Sequence, residues 1–177
     1  MQIRDSTDAD VEGVVELVQS AYRGPASRGG WTTEADLLDG QRTDAAALGA
    51  IVADPAAQLL LAVDGTEILG CAAVEDRGDR WYFGTFAVRP TGQARGTGSA
   101  LLAEAERLAR GAGAAALELT VIHVRADLIA WYERRGYVRT GETRPFPYGD
   151  ERFGVPRRDD LSFVVLEKQL TTEVTSS

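Results

Sequence analysis

The sequence of 177 residues has a single cysteine, a single histidine and no long hydrophobic run. Cys71 has no second cysteine to pair with, so an intramolecular disulfide is excluded and a reducing compartment is expected. No apolar segment approaches the about 20 residues of a membrane-spanning helix, and the N-terminus MQIRDSTDAD is polar where a signal peptide needs an apolar run. Basic residues number 19 against 27 acidic ones, which argues against a nucleic-acid-binding surface. We therefore expect a soluble, cytoplasmic protein that binds neither membranes nor nucleic acid.

The length and the hydrophobic fraction of 44% are typical of one globular domain. We expect this domain to span residues 1–170 and to be followed by a disordered polar tail, residues 171–177. Apolar periodicity and turn residues divide the chain into strands and helices. The predicted elements are an edge strand Gln2–Arg4, helices Asp8–Tyr22, Thr32–Leu38 and Asp44–Ala53, an antiparallel meander of strands Gln58–Val63, Glu67–Val74 and Trp81–Val88, a helix Gly96–Arg110, a strand Ala115–Ile122, a helix Ala126–Arg135, and closing strands Tyr137–Thr140 and Leu161–Glu167.

A glycine-rich loop joins the strand Trp81–Val88 to the next helix. The first turn of a helix leaves backbone N–H groups unpaired and carries partial positive charge, which soluble helices usually balance with Asp or Glu. Residues 96–103 contain no carboxylate, Arg95 comes just before them, and their two glycines allow a ligand to approach the backbone. This pattern predicts a site for a phosphate or pyrophosphate. The alternative is a loop whose glycines serve only its turn, with Thr97 or Ser99 as a weak helix cap.

The same residues also fit a dinucleotide-binding Rossmann unit, because Glu118 lies 20 positions after Gly98. Three observations disfavour that fold. Leu101 occupies the sixth position of the glycine motif, seven residues separate Val88 from Gly96, and a hairpin meander precedes the loop. A P-loop is excluded because no Gly-Lys-Ser/Thr follows.

Two motifs in this order resemble the GCN5-related N-acetyltransferase (GNAT) superfamily. QARGTG, residues Gln93–Gly98, is similar to the family's Q/R-x-x-G-x-G/A loop, which wraps the pyrophosphate of acetyl-coenzyme A (acetyl-CoA). AWYERRGY, residues Ala130–Tyr137, is similar to its aromatic-Tyr-x-x-x-Gly-aromatic signature. The element order resembles the family over about residues 1–168. The resemblance implies an α/β (mixed) fold with a mostly antiparallel sheet of about six or seven strands, flanked by helices. It also implies that the fourth and fifth strands, Trp81–Val88 and Ala115–Ile122, splay apart.

The resemblance implies an N-acetyltransferase that moves an acetyl group from acetyl-CoA, without a metal, directly to a primary amine of a small molecule (amino acid, amine or amino sugar) or of a peptide. Cys71 lies on a strand away from the expected thioester and is a poor nucleophile candidate. The alternative is a non-catalytic acyl-CoA-binding or regulatory module, favoured by the absence of a carboxylate in the strand WYFGTFAV. Whether the chain pairs with a second copy of itself in a homodimer is left open. The residues implied to bind the cofactor are Ala87, Val88, Gln93, Ala94, Arg95, Gly96, Thr97, Gly98, Ser99 and Arg125.

Two of these residues have more specific implications. The resemblance implies that the backbone N–H of Val88 points at the thioester oxygen. The family often has Asn, which bonds the pantetheine arm, where this chain has Arg125. That contact therefore differs here, and Arg125 is expected to supply other donors or to reach a phosphate.

Acyl transfer to an amine needs an acid for the departing thiolate and a base for the ammonium. The resemblance implies that Tyr132 is the acid; it shares a helix face with Leu128 and Ile129, so its ring is expected to be buried. A core tyrosine bonded to a carbonyl is the alternative. The sequence does not single out a base, and the candidates are Glu34, Glu75, Glu118 and His123, of which a lone histidine at a strand end is more often structural.

The amine that receives the acetyl group, called the acceptor below, is expected near Trp31, Glu34 and Tyr148, in segments that line the acceptor cleft of the family. Their mixture of aromatic and acidic residues suits a cationic amine, although solvated loop acids explain the pattern equally well. The late loop around Arg144 and Arg158 would equally suit an acceptor that carries a carboxylate.

Overall fold

A mixed β-sheet forms the centre of the fold. The computed structural model describes residues 1–22, 38–39, 43–90, 96–150 and 154–170. The strands are β1 (Gln2–Asp5), β2 (Leu38–Asp39), β3 (Ala57–Asp64), β4 (Glu67–Asp76), β5 (Arg80–Val88), β6 (Ala116–Ile122), β7 (Val138–Pro145), β8 (Val155–Pro156) and β9 (Ser162–Gln169). The helices are α1 (Val11–Tyr22), α2 (Ala45–Ala53), α3 (Thr97–Gly111) and α4 (Ala126–Glu133), and a short 3-10 helix, Asp8–Asp10, precedes α1.

The main sheet has seven strands in the order β1-β3-β4-β5-β6-β9-β7, with β2 and β8 forming a separate two-stranded sheet. Every neighbouring pair in the main sheet is antiparallel except β5 and β6, which run parallel. The predicted mixed fold with a mostly antiparallel sheet is therefore confirmed, including β1 as an edge strand and β3-β4-β5 as a meander.

The strands β5 and β6 separate soon after they meet. They pair only from Arg80 to Tyr82 on β5, against Ala116 to Glu118 on β6. Farther along β5, the register with β4 shifts between Cys71 and Ala73, and Thr85 adopts a positive φ of 47°. These are the features of a β-bulge, which bends a strand away from its neighbour. The splay that the family resemblance implied thus begins directly after Tyr82.

Alternation of side chains along the strands divides the core between the two faces of the sheet. Leu60 and Ala62 of β3 pack with the buried residues of α3, whereas Leu59 and Leu61 pack with α1. Helix α3 buries Leu101, Leu102, Ala105 and Ala109 at helical spacing. Helices therefore cover both faces of the β3-β4-β5 region and hold β5 in place where it leaves β6.

Two elements differ from the prediction. The helix predicted over Thr32–Leu38 is wrong at its end, because Leu38 begins strand β2; the other residues of that segment lie outside the described ones. The closing strand β7 runs to Pro145 rather than Thr140. Most of β7 is exposed at the edge of the sheet, so its sequence lacks the apolar alternation that predicts a strand. The expected tail, residues 171–177, lies outside the described residues, and the single-domain boundary stays a prediction.

No helix in the described ranges has the length and apolar character that crossing a membrane requires.

Candidate active site

A cavity of about 300 Å³ lies where β5 and β6 separate. Its walls combine apolar and aromatic side chains from β5, β6 and α4 with a small number of polar groups. A largely apolar cleft with a few convergent polar groups is the usual form of a small-molecule site. The polar and charged side chains in the described lining include Tyr22, Glu75, Tyr82, Thr120, Arg125 and Tyr132.

Tyr132 lies on α4 and is only 4% exposed. Its ring packs edge-on against the rings of Trp131 and Tyr137, with centroids 5.0 and 5.7 Å away. Its hydroxyl makes no hydrogen bond to any described residue, so the alternative of a core tyrosine bonded to a carbonyl has no support in this part of the chain. Burial raises the pKa of Tyr132 well above its usual 10.0, nearby tyrosines add to the rise, and Arg125 opposes it. The cavity therefore contains a phenol that stays protonated.

The N-terminus of α3 has the open character that the sequence predicts. Gly96 occupies the N-cap position with a φ of 75°, no described side chain caps the helix, and its first turn contains no acid. Thr97 is fully buried and its hydroxyl contacts the sulfur of Met1, so Thr97 is not a cap. Gly98 is also buried, and a Cβ built on it would lie 3.0 Å from the ring of Phe86. Gln93, Ala94 and Arg95 lie outside the described residues.

Arg135 lies beside this helix terminus. Its place there was not predicted from the sequence. Its Nη2 donates to the hydroxyl of Ser99 at 2.8 Å, and its Nη1 donates to the backbone carbonyl of Trp131 at 2.9 Å. The guanidinium carbon also lies 3.6 Å from the centroid of the Trp131 ring. Ser99 is thus an acceptor for an arginine rather than a helix cap, and a fixed cation adds to the positive end of α3.

The bulge in β5 is held by side chains from neighbouring elements. The hydroxyl of Tyr22 donates to the carbonyl of Phe86, and the thiol of Cys71 lies 3.2 Å from the carbonyl of Thr85. Ala87 and Val88 follow directly and are both buried. Tyr22 was not identified from the sequence, because its partner on β5 is 64 residues away.

The candidate bases lie in different surroundings. Glu75 is in the described lining of the cavity, and Glu118 and His123 are not. The Oε1 of Glu118 accepts a hydrogen bond from Arg144 at 2.8 Å, and the Nδ1 of His123 accepts one from the backbone N–H of Ser162 at 3.2 Å. Both groups therefore have structural partners away from the cavity.

The predicted acceptor residues are only partly described. Trp31 and Glu34, the latter also a candidate base, lie outside the described residues. Tyr148 is not among the described residues that line the cavity. Its hydroxyl is hydrogen-bonded to the backbone: it accepts from the N–H of Leu161 at 2.8 Å and donates to the carbonyl of Arg158 at 3.1 Å. Arg125, in contrast, does line the cavity.

Within the described ranges, no cluster of three or more His, Cys, Asp or Glu side chains could hold a metal ion.

Comparisons with known proteins agree with this geometry. A sequence profile of the acetyltransferase (GNAT) family matches residues 12–137, more than half of the chain. A search among curated proteins gives no match. Among solved structures, the ribosomal-protein-S18-alanine N-acetyltransferase of Escherichia coli is 17% identical, with a TM-score of 0.73 and coverage of 99% of this chain and 97% of that chain.

Two further structures have the same fold. Ard1 from Thermoplasma volcanium is 16% identical, with a TM-score of 0.72 and coverage of 97% of this chain and 98% of that one. The yncA protein from Salmonella typhimurium, whose structure contains its cofactor acetyl-CoA, is 18% identical, with a TM-score of 0.71 and coverage of 100% and 98%.

Proposed function

Because the chain belongs to the acetyltransferase (GNAT) family, we propose that it is an N-acetyltransferase that moves an acetyl group from acetyl-CoA directly to a primary amine. The acceptor is an amino acid, another small amine, an amino sugar or a peptide. The observation that carries the proposal is the protonated hydroxyl of Tyr132, which has no partner among the described residues and lies in the cavity between β5 and β6.

The proposed orientation of acetyl-CoA follows from the open N-terminus of α3. Gly98 lies against Phe86 of β5, so the proposed phosphate-binding end of the site is next to the far end of the β5 bulge. The proposed cofactor contacts there are the loop residues Gln93–Ser99, with Ala87, Val88 and Arg125 along the pantetheine arm. The pantetheine arm would then extend along β5 and bring the thioester into the cavity, where Tyr132 lies.

In the proposed reaction, the neutral amine nitrogen attacks the thioester carbonyl carbon and forms the C–N bond. The C–S bond breaks, the thiolate of coenzyme A takes the proton of the Tyr132 hydroxyl, and the amine nitrogen loses a proton to a base. A normal phenol already has a pKa about 1.5 units above that of a thiol, and burial raises the pKa of Tyr132 further, so this transfer depends on a close approach of the two groups. Glu75 is the candidate base in the described lining, whereas Glu118 and His123 would need a relay.

The test combines a thiol-release screen with the variant Tyr132→Phe. Amino acids, polyamines, aminoglycosides and peptide N-termini are offered with acetyl-CoA, and coenzyme A binding is measured by calorimetry. Tyr132→Phe should lower kcat by about 10²-fold or more, as for the loss of a positioned acid, with coenzyme A affinity little changed.

Tyr137→Phe is the matched control, since Tyr137 is buried beside Tyr132 but bonds Glu106 instead of lining the cavity. Equal turnover of Tyr132→Phe and the wild type would remove Tyr132 from the mechanism. Coenzyme A binding without turnover on any amine would favour a non-catalytic acyl-CoA-binding module. Tighter binding of NAD than of coenzyme A would contradict the proposal.

A further inference from the structure

The end of the cavity opposite the helix terminus is built around Tyr82. Strands β5 and β6 are still paired at Tyr82, and the Phe86 ring, four residues later, is in contact with the first turn of α3. At about 3.3 Å per residue, these two points on β5 lie at most roughly 13 Å apart along the strand. If acetyl-CoA enters from α3, as the proposed function requires, the acceptor occupies the Tyr82 end.

The ring of Tyr82 lies flat along its own strand. Gly84 is two residues later on the same side of β5, and a Cβ built on Gly84 would lie 2.9 Å from Cε1 of the Tyr82 ring. Any other residue at position 84 would therefore displace the ring. Because Gly84 has no side chain, the hydroxyl of Tyr82 can reach across the split between the strands to the Thr120 hydroxyl on β6, at 2.9 Å.

A cation also packs on the Tyr82 ring. The guanidinium carbon of Arg77 lies 4.2 Å from the ring centroid, and Nη2 of Arg77 donates to Glu75 at 3.0 Å. Glu75 is the direct partner of Tyr82 in the β4–β5 register. The ring is thus in contact with both the backbone of Gly84 and the Arg77 side chain, and its hydroxyl is fixed by Thr120.

We infer that Tyr82 determines acceptor specificity by closing this end of the cavity, so that the enzyme accepts compact primary amines and rejects longer ones. The ring and its hydrogen bond to Thr120 span the gap between β5 and β6, and both side chains line the cavity. Glu75 is the charged neighbour of Tyr82 in a described lining that is otherwise mostly apolar. This inference rests on the proposed function for the direction from which the acceptor enters. It assigns Tyr82 a role in size selection and not in the chemical step.

The test uses n-alkylamines from propylamine to octylamine. Their binding to the protein saturated with coenzyme A is measured by calorimetry, and their kcat/KM by thiol release. In the wild type, we expect affinity to stop rising once the chain reaches the ring. In Tyr82→Ala, we expect affinity to keep rising about fourfold for each added methylene group. In Tyr82→Phe the ring remains, so the limit on chain length should remain also. The affinity for coenzyme A should be unchanged in every variant.

A second pair of variants tests the position of the ring without changing Tyr82. When Tyr82 is present, Gly84→Ala should change the way in which amine affinity depends on chain length, here called the chain-length profile. In the Tyr82→Ala background, Gly84→Ala should leave this profile unaltered. Gly49→Ala is the matched control, because a Cβ at Gly49 meets nothing within 4 Å. The same chain-length profile in the wild type and Tyr82→Ala, including no binding to either, would overturn the inference. Because binding needs no turnover, a shifted profile in a protein that releases no thiol would refute the proposed catalysis and leave the role of Tyr82 intact.

Discussion

Nη2 of Arg135, in the turn after α4, lies 2.8 Å from the hydroxyl of Ser99 in the first turn of α3. Its guanidinium also stacks on Trp131 and is therefore fixed before any ligand arrives. A preorganised arginine beside an open helix N-terminus is well suited to bind phosphate, since both supply N–H donors and positive charge.

We expect Arg135→Met to weaken coenzyme A binding by about tenfold, which corresponds to about 1.4 kcal/mol, and to reduce the dependence of binding on salt. Calorimetry at two salt concentrations measures both effects. Arg134→Met is the control, because Arg134 is the exposed neighbour with the same charge. Equal losses in the two variants would mean that Arg135 acts only through net charge.

The protonation of Tyr132 leads to a prediction about pH. Burial raises the pKa of this phenol well above 10.0, so the acid remains available at every pH below that value. With a good acceptor, kcat should therefore show no decline from loss of the acid between about pH 6 and about pH 10. Ultraviolet titration of the wild type against Tyr132→Phe should show no tyrosinate from Tyr132 in this range. A tyrosinate that forms near the normal pKa would contradict the buried position of the hydroxyl.

The N-terminal turn should lose stability in acid. Arg4 donates two hydrogen bonds to Asp10, at 2.8 and 2.9 Å, and together with the Thr7 N–H it lowers the pKa of Asp10 from 3.8 to about 2. Because the pKa in the folded state lies below the value in the unfolded state, the contribution is complete above pH 3.8 and is lost as the pH falls toward 2. Arg4 is 39% exposed, so we expect the contribution to be only about 1 kcal/mol.

Urea unfolding of the wild type and Asp10→Asn between pH 7 and about pH 2 measures this contribution. The difference in unfolding free energy should shrink to near zero at the acid end. Asp8→Asn, in the same turn, is the control, because no hydrogen bond or ion pair joins the Asp8 side chain to a described residue. A difference that is independent of pH would show that the effect of Asp10→Asn does not arise from ionisation.

A buried carboxylate joins α3 to β9. Glu106 is 7% exposed and accepts hydrogen bonds from Lys168 at 3.0 and 3.1 Å and from the hydroxyl of Tyr137 at 3.1 Å. Lys168→Met leaves the charge without its main partner, so we expect a loss of about 2 kcal/mol of unfolding free energy. The double variant Glu106→Gln/Lys168→Met should lose less than the sum of the two single changes.

Arg107→Met is the comparison for this pair. Arg107 and Glu104 are 2.6 Å apart, but Arg107 is 66% exposed, and such surface pairs contribute little to stability because water screens them. Denaturant unfolding of the four variants measures the contrast. Equal losses for Lys168→Met and Arg107→Met would mean that burial of Glu106 has no energetic consequence.

Much of the fold was predictable because its signals are local. Leu101, Leu102, Ala105 and Ala109 follow the helical period and are buried together on α3. The meander β3-β4-β5 follows from alternation and turn residues over short stretches. Strand β7 was predicted too short, because an exposed edge strand needs no apolar pattern and depends on its pairing with β9.

The candidate site was predictable only where its chemistry is local. The missing acid in the first turn of α3 and the face of α4 that contains Tyr132 can be read from neighbouring residues. Arg135 and Ser99 are 36 residues apart, and Tyr82 and Thr120 are 38 residues apart. Neither contact has a sequence pattern, since nothing in a single chain records which distant side chains meet.

By itself, the sequence determined the order of the seven main-sheet strands and the four α-helices that the structure describes, the open helix terminus after the glycine loop and the burial of the Tyr132 ring. Each of these depends on residues within a few turns or one hairpin. The tertiary structure alone decided that β5 leaves β6 directly after Tyr82, that Arg135 reaches Ser99, and that Glu118 and His123 have partners outside the cavity. Those outcomes depend on how separate elements pack, and the free energy of packing belongs to contacts between residues far apart in the chain.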